Sequence, residues 1–301
     1  MSDLLARAAR IAGPIVVVGR PRSGSRIVAE LLSDAGVFMG HDLASGTRDA
    51  LAMLYRFVAP LVSSAAFPRR DGWDTDDRFG RLCRARLSHA LEGLFGPRQL
   101  AAPWGWKFCE TALLMPLVKR LLPNARFVHV IRDGRDVCVS LEGWFQLTGP
   151  RRPVWPVTPV DGGVCDYNAF CRTVTFGDSA TRRWCGIDLD NPSERGDQRY
   201  LLQMQSWLHC VGEARRHGRE LGDDYFEVRY EGLCREPSQT PRALLDWAGL
   251  TSEEAVTRHA DRVSRTRIGA WRTVRLTLRE RRDLDAAVEH GAEMLAELGY
   301  R

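Results

Sequence analysis

Lysine is almost missing from this chain: of its 43 basic residues only Lys107 and Lys119 are lysines, and the rest are arginines. Against 38 acidic residues the formal charge is +5, spread along the sequence with no dense basic tail. Such a field suits small anionic ligands and not a nucleic-acid backbone, so no nucleic-acid partner is expected. Long apolar runs are missing too. With 44% hydrophobic and 27% charged residues, the composition is that of an ordinary soluble globular protein, and no membrane span is expected. The N-terminus, Met1-Ser2-Asp3-Leu4-Leu5-Ala6-Arg7, lacks the basic region, apolar stretch and cleavage site of a secretory signal, which points to the cytoplasm. No Cys-x-x-Cys pair occurs among the eight cysteines, so a zinc ribbon is not indicated and structural thiols are expected.

What is present alternates strand and helix. Ile15 to Val18 is a continuous β-branched run closed by Gly19, the pattern of a strand buried on both faces of a parallel sheet. A helical pattern follows from Ile27 to Leu32. Leu113, Leu114, Leu117, Val118 and Leu121 recur at helical spacing, Pro123-Asn124 supplies a turn, and Arg126 to Ile131 reads as a second strand. Tyr225 to Arg229 is a third, followed by a helix through Leu244, Leu245, Trp247 and Leu250. Leu284, Val288, Met294, Leu295 and Leu298 mark a closing helix. This alternation predicts an α/β fold with a central parallel sheet covered on both faces and ligands at the carboxyl ends of its strands. Residues 148–198 interrupt the pattern. They are rich in Pro, Gly, Asp and Arg with Trp155, Tyr167, Phe170, Phe176 and Trp184 interspersed, and read as an insertion forming a substrate lid.

Two motifs stand on the predicted rim. Gly19-Arg20-Pro21-Arg22-Ser23-Gly24-Ser25-Arg26 follows a strand and opens a helix, the context of a phosphate-binding loop. Its glycines keep the Gly-x-x-x-x-Gly spacing of an ATP-binding P-loop, but Ser25-Arg26 stands where Lys-Ser or Lys-Thr would reach phosphate and Mg²⁺. Arg22 puts a cation inside the loop, so a nest of backbone N–H groups could neutralise a phosphate without a metal. The second motif, Arg132-Asp133-Gly134-Arg135-Asp136-Val137-Cys138-Val139-Ser140, begins at the end of a strand and aims Arg132 at the first loop. Ser140 follows about two helical turns later. Alone, it could equally be a surface salt-bridge ladder.

Together these motifs resemble the sulfotransferases that use 3′-phosphoadenosine 5′-phosphosulfate (PAPS). The resemblance spans roughly residues 15–275 and rests on three elements. Pro21 to Ser25 is similar to the 5′-phosphosulfate loop, Arg132 to Ser140 to the 3′-phosphate element, and Tyr230-Glu231-Gly232-Leu233 to the segment near the adenine. It implies a P-loop-like three-layer α/β/α fold, one domain over 1–301, with PAPS as donor, 3′-phosphoadenosine 5′-phosphate (PAP) as product and no metal. It implies a small-molecule, glycan or lipid acceptor such as a glycolipid, phenol or secondary metabolite. By the same resemblance Arg22 and Lys107 serve the sulfuryl group, and Ser23, Gly24, Ser25 and Arg26 the 5′-phosphate. Arg132, Ser140 and, from the basic segment 264–272, Arg265 serve the 3′-phosphate, while Tyr230 lies near the base. Small-molecule members have histidine two residues after the lysine, whereas this chain has Cys109. Asp42 falls on the carboxylate position of other branches and is the expected general base, with His41, Asp49 and Glu110 as rivals. A P-loop kinase or a non-catalytic adenine-nucleotide-binding protein is the alternative.

Overall fold

The computed structural model describes residues 3–64, 67, 78–98, 100–101, 103–140 and 167–301. Its strands, in chain order, are β1 (Ile15–Gly19), β2 (Gly105–Lys107), β3 (Arg126–Ile131), β4 (Arg183–Trp184), β5 (Ile187–Asp188) and β6 (Tyr225–Arg229). β2-β1-β3-β6 form a four-stranded sheet in that order, with every pair parallel. β4 and β5 form a separate antiparallel hairpin. Ile15 lies opposite both Gly105 and Arg126, and Val17 opposite Lys107 and Val128, so all four carboxyl ends emerge on one edge.

Every residue of β1 is buried, because successive side chains enter different cores. Val16 and Val18 join Trp106, Phe127 and Leu113 on one face. Ile15 and Val17 join Val28, Leu32, Val128 and Val130 on the other. That is the three-layer α/β/α arrangement expected from the unbroken β-branched run. The helix Ser25–Asp34 covers one face with Val28, Ala29, Leu31 and Leu32. On the opposite side the helix Arg199–Leu221 buries Leu202 and Cys210 in the first core, and Met204, Trp207 and Val211 in a third with Ile131 and Val137.

β3 and β6 occupy their expected bounds. β2 was not foreseen, since Gly-Trp-Lys carries no strand pattern. It pairs because Gly105 lets the Ile15 carbonyl approach, where a Cβ would lie 1.9 Å from that oxygen. The segment through Leu113 to Leu121 is a 3₁₀ turn, Cys109–Leu114, followed by a short α-helix, Met115–Leu121, with Pro116 in its first turn. The closing helix is two helices, Leu278–His290 and Ala292–Glu297. They divide at Gly291, which packs against the Met204 side chain.

Of the expected insertion, residues 148–166, including Trp155, lie outside the described residues. The rest forms a helix, Tyr167–Phe176, the β4-β5 hairpin and a short helix, Pro192–Asp197. Phe170, Cys171 and Val174 are part of the first core. Seven cysteines among the described residues are free, and all but Cys185 are buried. No described helix is long and apolar enough to cross a membrane.

Candidate active site

Each strand of the main sheet delivers a polar group at its carboxyl end. Beyond Gly19 of β1 the chain turns through residues 20–24 into the helix Ser25–Asp34. Arg22 takes φ 78, a left-handed conformation unusual for a residue with a side chain. Gly24, with φ 92, is obligatory on a second count: a Cβ there would sit 2.4 Å from the Tyr230 ring. Tyr230 is the first residue after β6. Its other neighbour is Arg132, the first residue after β3, whose guanidinium lies 4.5 Å from the ring centroid. β2 ends on Lys107 and leads directly into Cys109 and Glu110.

These groups enclose one pocket of about 270 Å³, and among the described residues its walls come from five segments. The first loop gives Pro21, Arg22, Gly24, Ser25, Arg26 and Ile27; a loop after the first helix gives Gly46, Thr47 and Asp49. Lys107, Phe108, Cys109 and Glu110 form a third wall, with Arg132 and Ser140 from the second motif and Tyr230 from the third. Thus Arg22, Gly24, Ser25, Arg26, Lys107, Arg132, Ser140 and Tyr230 are brought together. Ser23 lies beneath the loop, fully buried. Asp42, His41 and Arg265 do not line the pocket.

Arg132 is 6% exposed, and its two terminal nitrogens donate to backbone carbonyls, Nη1 to Arg22 O at 3.3 Å and Nη2 to Arg267 O at 2.5 Å. Its Nε is buried without a partner. Behind it, Asp136 is fully buried, 3.5 Å from Arg132 Nη2, and accepts the backbone N–H groups of Gly269 at 2.8 Å and Trp271 at 3.1 Å. Asp133 caps its short helix by accepting from Arg135 N at 2.9 Å and pairs with the Arg135 guanidinium. Arg132, Asp133, Arg135 and Asp136 are all buried, so the motif is not a surface ladder. In the sequence Asp136 carries no signal beyond its place in that motif. Only the fold shows that this carboxylate fastens the 264–272 segment beside Arg132.

The lysine is equally enclosed. Lys107 is 5% exposed and its Nζ donates to Asp49 Oδ1 at 2.7 Å and Thr47 O at 2.8 Å. Beside it, Cys109 Sγ lies 3.2 Å from Ser25 Oγ, and burial pushes the thiol up to about 12. Glu110 is 3% exposed; burial, reinforced by the nearby Asp49 carboxylate, raises its carboxyl to about 7. Arg20 is fully buried at the end of β1 and donates to Gln203 Oε1.

Asp42 does different work here. Its Oδ2 accepts from Ala52 N at 2.5 Å and its backbone carbonyl from Leu51 N, anchoring the start of the following helical segment. His41 Nδ1 is 3.0 Å from the Leu94 carbonyl. Arg265 donates to the carbonyls of Cys234 and Arg235. Thr47 had no sequence signal, since its contribution is a backbone carbonyl placed by loop conformation.

None of the curated proteins compared with this sequence matches it. Among solved structures, sulfotransferase STF1 from Mycobacterium tuberculosis is 14% identical with a TM-score of 0.48, over 95% of this chain and 78% of that one. The sulfotransferase domain of the Synechococcus olefin synthase is 14% identical with a TM-score of 0.45, over 93% of this chain and 94% of that one. Residues 14–174, more than half of the chain and including both the first loop and the Arg132–Ser140 motif, match the profile of the Sulfotransferase family. This chain therefore belongs to the sulfotransferase family.

Proposed function

We propose that this protein transfers the sulfuryl group of PAPS to a hydroxyl of a small organic acceptor. The observation that carries the reading is the convergence, in one pocket, of cations from separate loops: Arg22 and Lys107, and Arg132 with Ser140. A ligand with two separated anionic ends calls for two such seats. The residues present also fit it. Arg132, which lines the pocket, has its Nε buried with no partner, and buried donors left unpaired are rare unless a ligand or water completes them.

In this reading the backbone and hydroxyls of Ser23 to Arg26, with Gly24 permitting the turn, hold the 5′-phosphate. Arg132 and Ser140 hold the 3′-phosphate and Tyr230 stands beside the adenine. Arg265 would act by supporting this loop through the carbonyls it bonds. When bound, PAPS supplies an already activated sulfuryl group. The chain's part is to orient it and balance charge in a loose, in-line transfer, by analogy with phosphoryl transfer. Arg22 and Lys107 do this, and Lys107 must first exchange Asp49 for a ligand oxygen. No metal is assigned a role, and Ser25-Arg26 supports this because the Walker lysine and hydroxyl are replaced.

Ile27 and Phe108 give the pocket an apolar share, which suits a phenol, glycolipid or secondary metabolite as acceptor. The reading takes the chain as a single domain in the cytoplasm. The test is incubation of sulfur-labelled PAPS with acceptor extracts. Labelled product from the wild type and none from Arg22→Ala is the expected result. Phosphorylated product from ATP and Mg²⁺, with none from PAPS, would establish the kinase alternative instead.

A further inference from the structure

Sulfuryl transfer to a hydroxyl needs a proton acceptor, and the carboxylates near this pocket are not equally able to serve. Asp42 accepts from Ala52 N on Oδ2, its Oδ1 is buried without a partner, and the residue does not line the cavity. Asp49 lines it but is held by Lys107 at 2.7 Å. Cys109, which occupies the position of the histidine in the small-molecule members, keeps its proton, being buried against Ser25. Glu110 is different in three respects. It lines the pocket one residue beyond Cys109 and three beyond Lys107. Its side chain is almost wholly buried. Nor does its carboxyl hydrogen-bond or ion-pair with another described side chain.

We infer that Glu110 is the catalytic base, taking the proton of the acceptor hydroxyl as that oxygen attacks. The inference rests on the PAPS reading above. In the step, the acceptor O–H bond breaks with the proton passing to the Glu110 carboxylate, and the acceptor oxygen bonds to sulfur. The sulfur–oxygen bond to the 5′-phosphate breaks, and its electron pair leaves with PAP. No redox partner is required. The 3₁₀ turn Cys109–Leu114 fixes Glu110 at the end of β2, so base and Lys107 sit on one short rigid segment. The charges that act on it are Arg20 just after β1, Asp49 from the facing loop and Lys107 at the end of β2. The thiols of Cys109 on the same turn and Cys210 on the helix Arg199–Leu221 are both pushed up to about 12 by burial, so neither titrates alongside it. A buried carboxyl held near neutrality is suited to accept a proton and release it again.

The test compares wild type, Glu110→Gln, Glu110→Asp and Asp49→Asn, using labelled PAPS with benzyl alcohol and with 4-nitrophenol as acceptors. PAP affinity is measured for each by calorimetry. The wild-type rate with benzyl alcohol should rise with pH through about 7. Glu110→Gln should lower that rate by ~10²-fold or more and abolish the rise, with PAP affinity within threefold of wild type. Glu110→Asp should restore part of the rate and the rise. The loss in Glu110→Gln should be much smaller with 4-nitrophenol at pH 8, where the acceptor is already ionised. A Glu110→Gln enzyme within threefold of the wild-type rate, or one still showing the rise, overturns the assignment. So does a rate loss matched by an equal loss of PAP affinity, or one shown by Asp49→Asn alone. A wild type that neither binds PAP nor transfers sulfur overturns the PAPS reading and this inference with it, whereas an active wild type with an equally active Glu110→Gln overturns this inference alone.

Discussion

Lys107 cannot serve two anions at once. Its Nζ is held by the Asp49 carboxylate at 2.7 Å, with the two side chains 6% and 12% exposed, so a ligand oxyanion reaching the lysine must displace Asp49. Removing that competitor leaves a buried ammonium short of its counter-ion, a change costing ~3–5 kcal/mol when the pair is fully buried. Asp49→Asn is therefore expected to lower the melting temperature yet bind PAP more tightly, and saturating PAP should recover much of the lost stability. Weaker PAP binding in a calorimetric titration would show that Asp49 helps the ligand instead of competing with it. Arg132→Ala removes a charge-assisted contact worth ~1.5–3 kcal/mol, so PAP affinity should fall roughly 10- to 100-fold, with unchanged affinity placing the second anion seat elsewhere. Glu110 also leaves a mark on stability. Its carboxyl sits at about 7 in the folded chain against an ordinary 4.5, so between those values the folded state holds a proton that the unfolded state releases. Stability from this group is complete below about 4.5 and is lost as pH rises through about 7, on the order of 3 kcal/mol in all. Denaturant titrations should show that decline in the wild type and a flatter profile in Glu110→Gln.

At the scale of elements, the segment 264–273 is held to the second motif by hydrogen bonds from two buried side chains: Asp136 accepts from Gly269 N and Trp271 N, and Arg132 Nη2 donates to Arg267 O. An amide at that position keeps one acceptor but turns donors toward donors. Asp136→Ala removes the acceptors altogether. Either substitution should speed amide exchange in 264–273 and weaken PAP binding, with β1 and β3 still protected; unchanged exchange would mean that other contacts hold the segment. The same scale shows why some elements could be read from sequence and others could not. β1 and β3 are continuous apolar runs buried from both sides, so composition alone marks them. β2 is three residues long and exists because Gly105 admits the Ile15 carbonyl, a tertiary fact with no local pattern. Arg132, Ser140 and Tyr230 were legible because each follows a recognisable motif or strand. The Lys107–Asp49 contact joins residues 58 positions apart, and the anchoring of Asp42 on Ala52 depends on a turn that the sequence does not announce.

For the whole molecule, four parallel strands place their carboxyl ends on one edge, so the first loop, Lys107 with Glu110, Arg132 and Tyr230 meet although they lie far apart in sequence. The sheet therefore fixes the spacing of these side chains, the proposed anion seats, and the buried cores on its two faces hold that spacing rigid. A net charge of +5 adds a general attraction for anions, but the proposed recognition rests on these fixed positions. The most direct measurement is a calorimetric titration of PAP and of ATP into the wild-type protein in EDTA. The account predicts saturable one-to-one binding of PAP without metal and much weaker binding of ATP. Failure of PAP to bind, or binding of ATP that appears only when Mg²⁺ is restored and exceeds that of PAP, would contradict it.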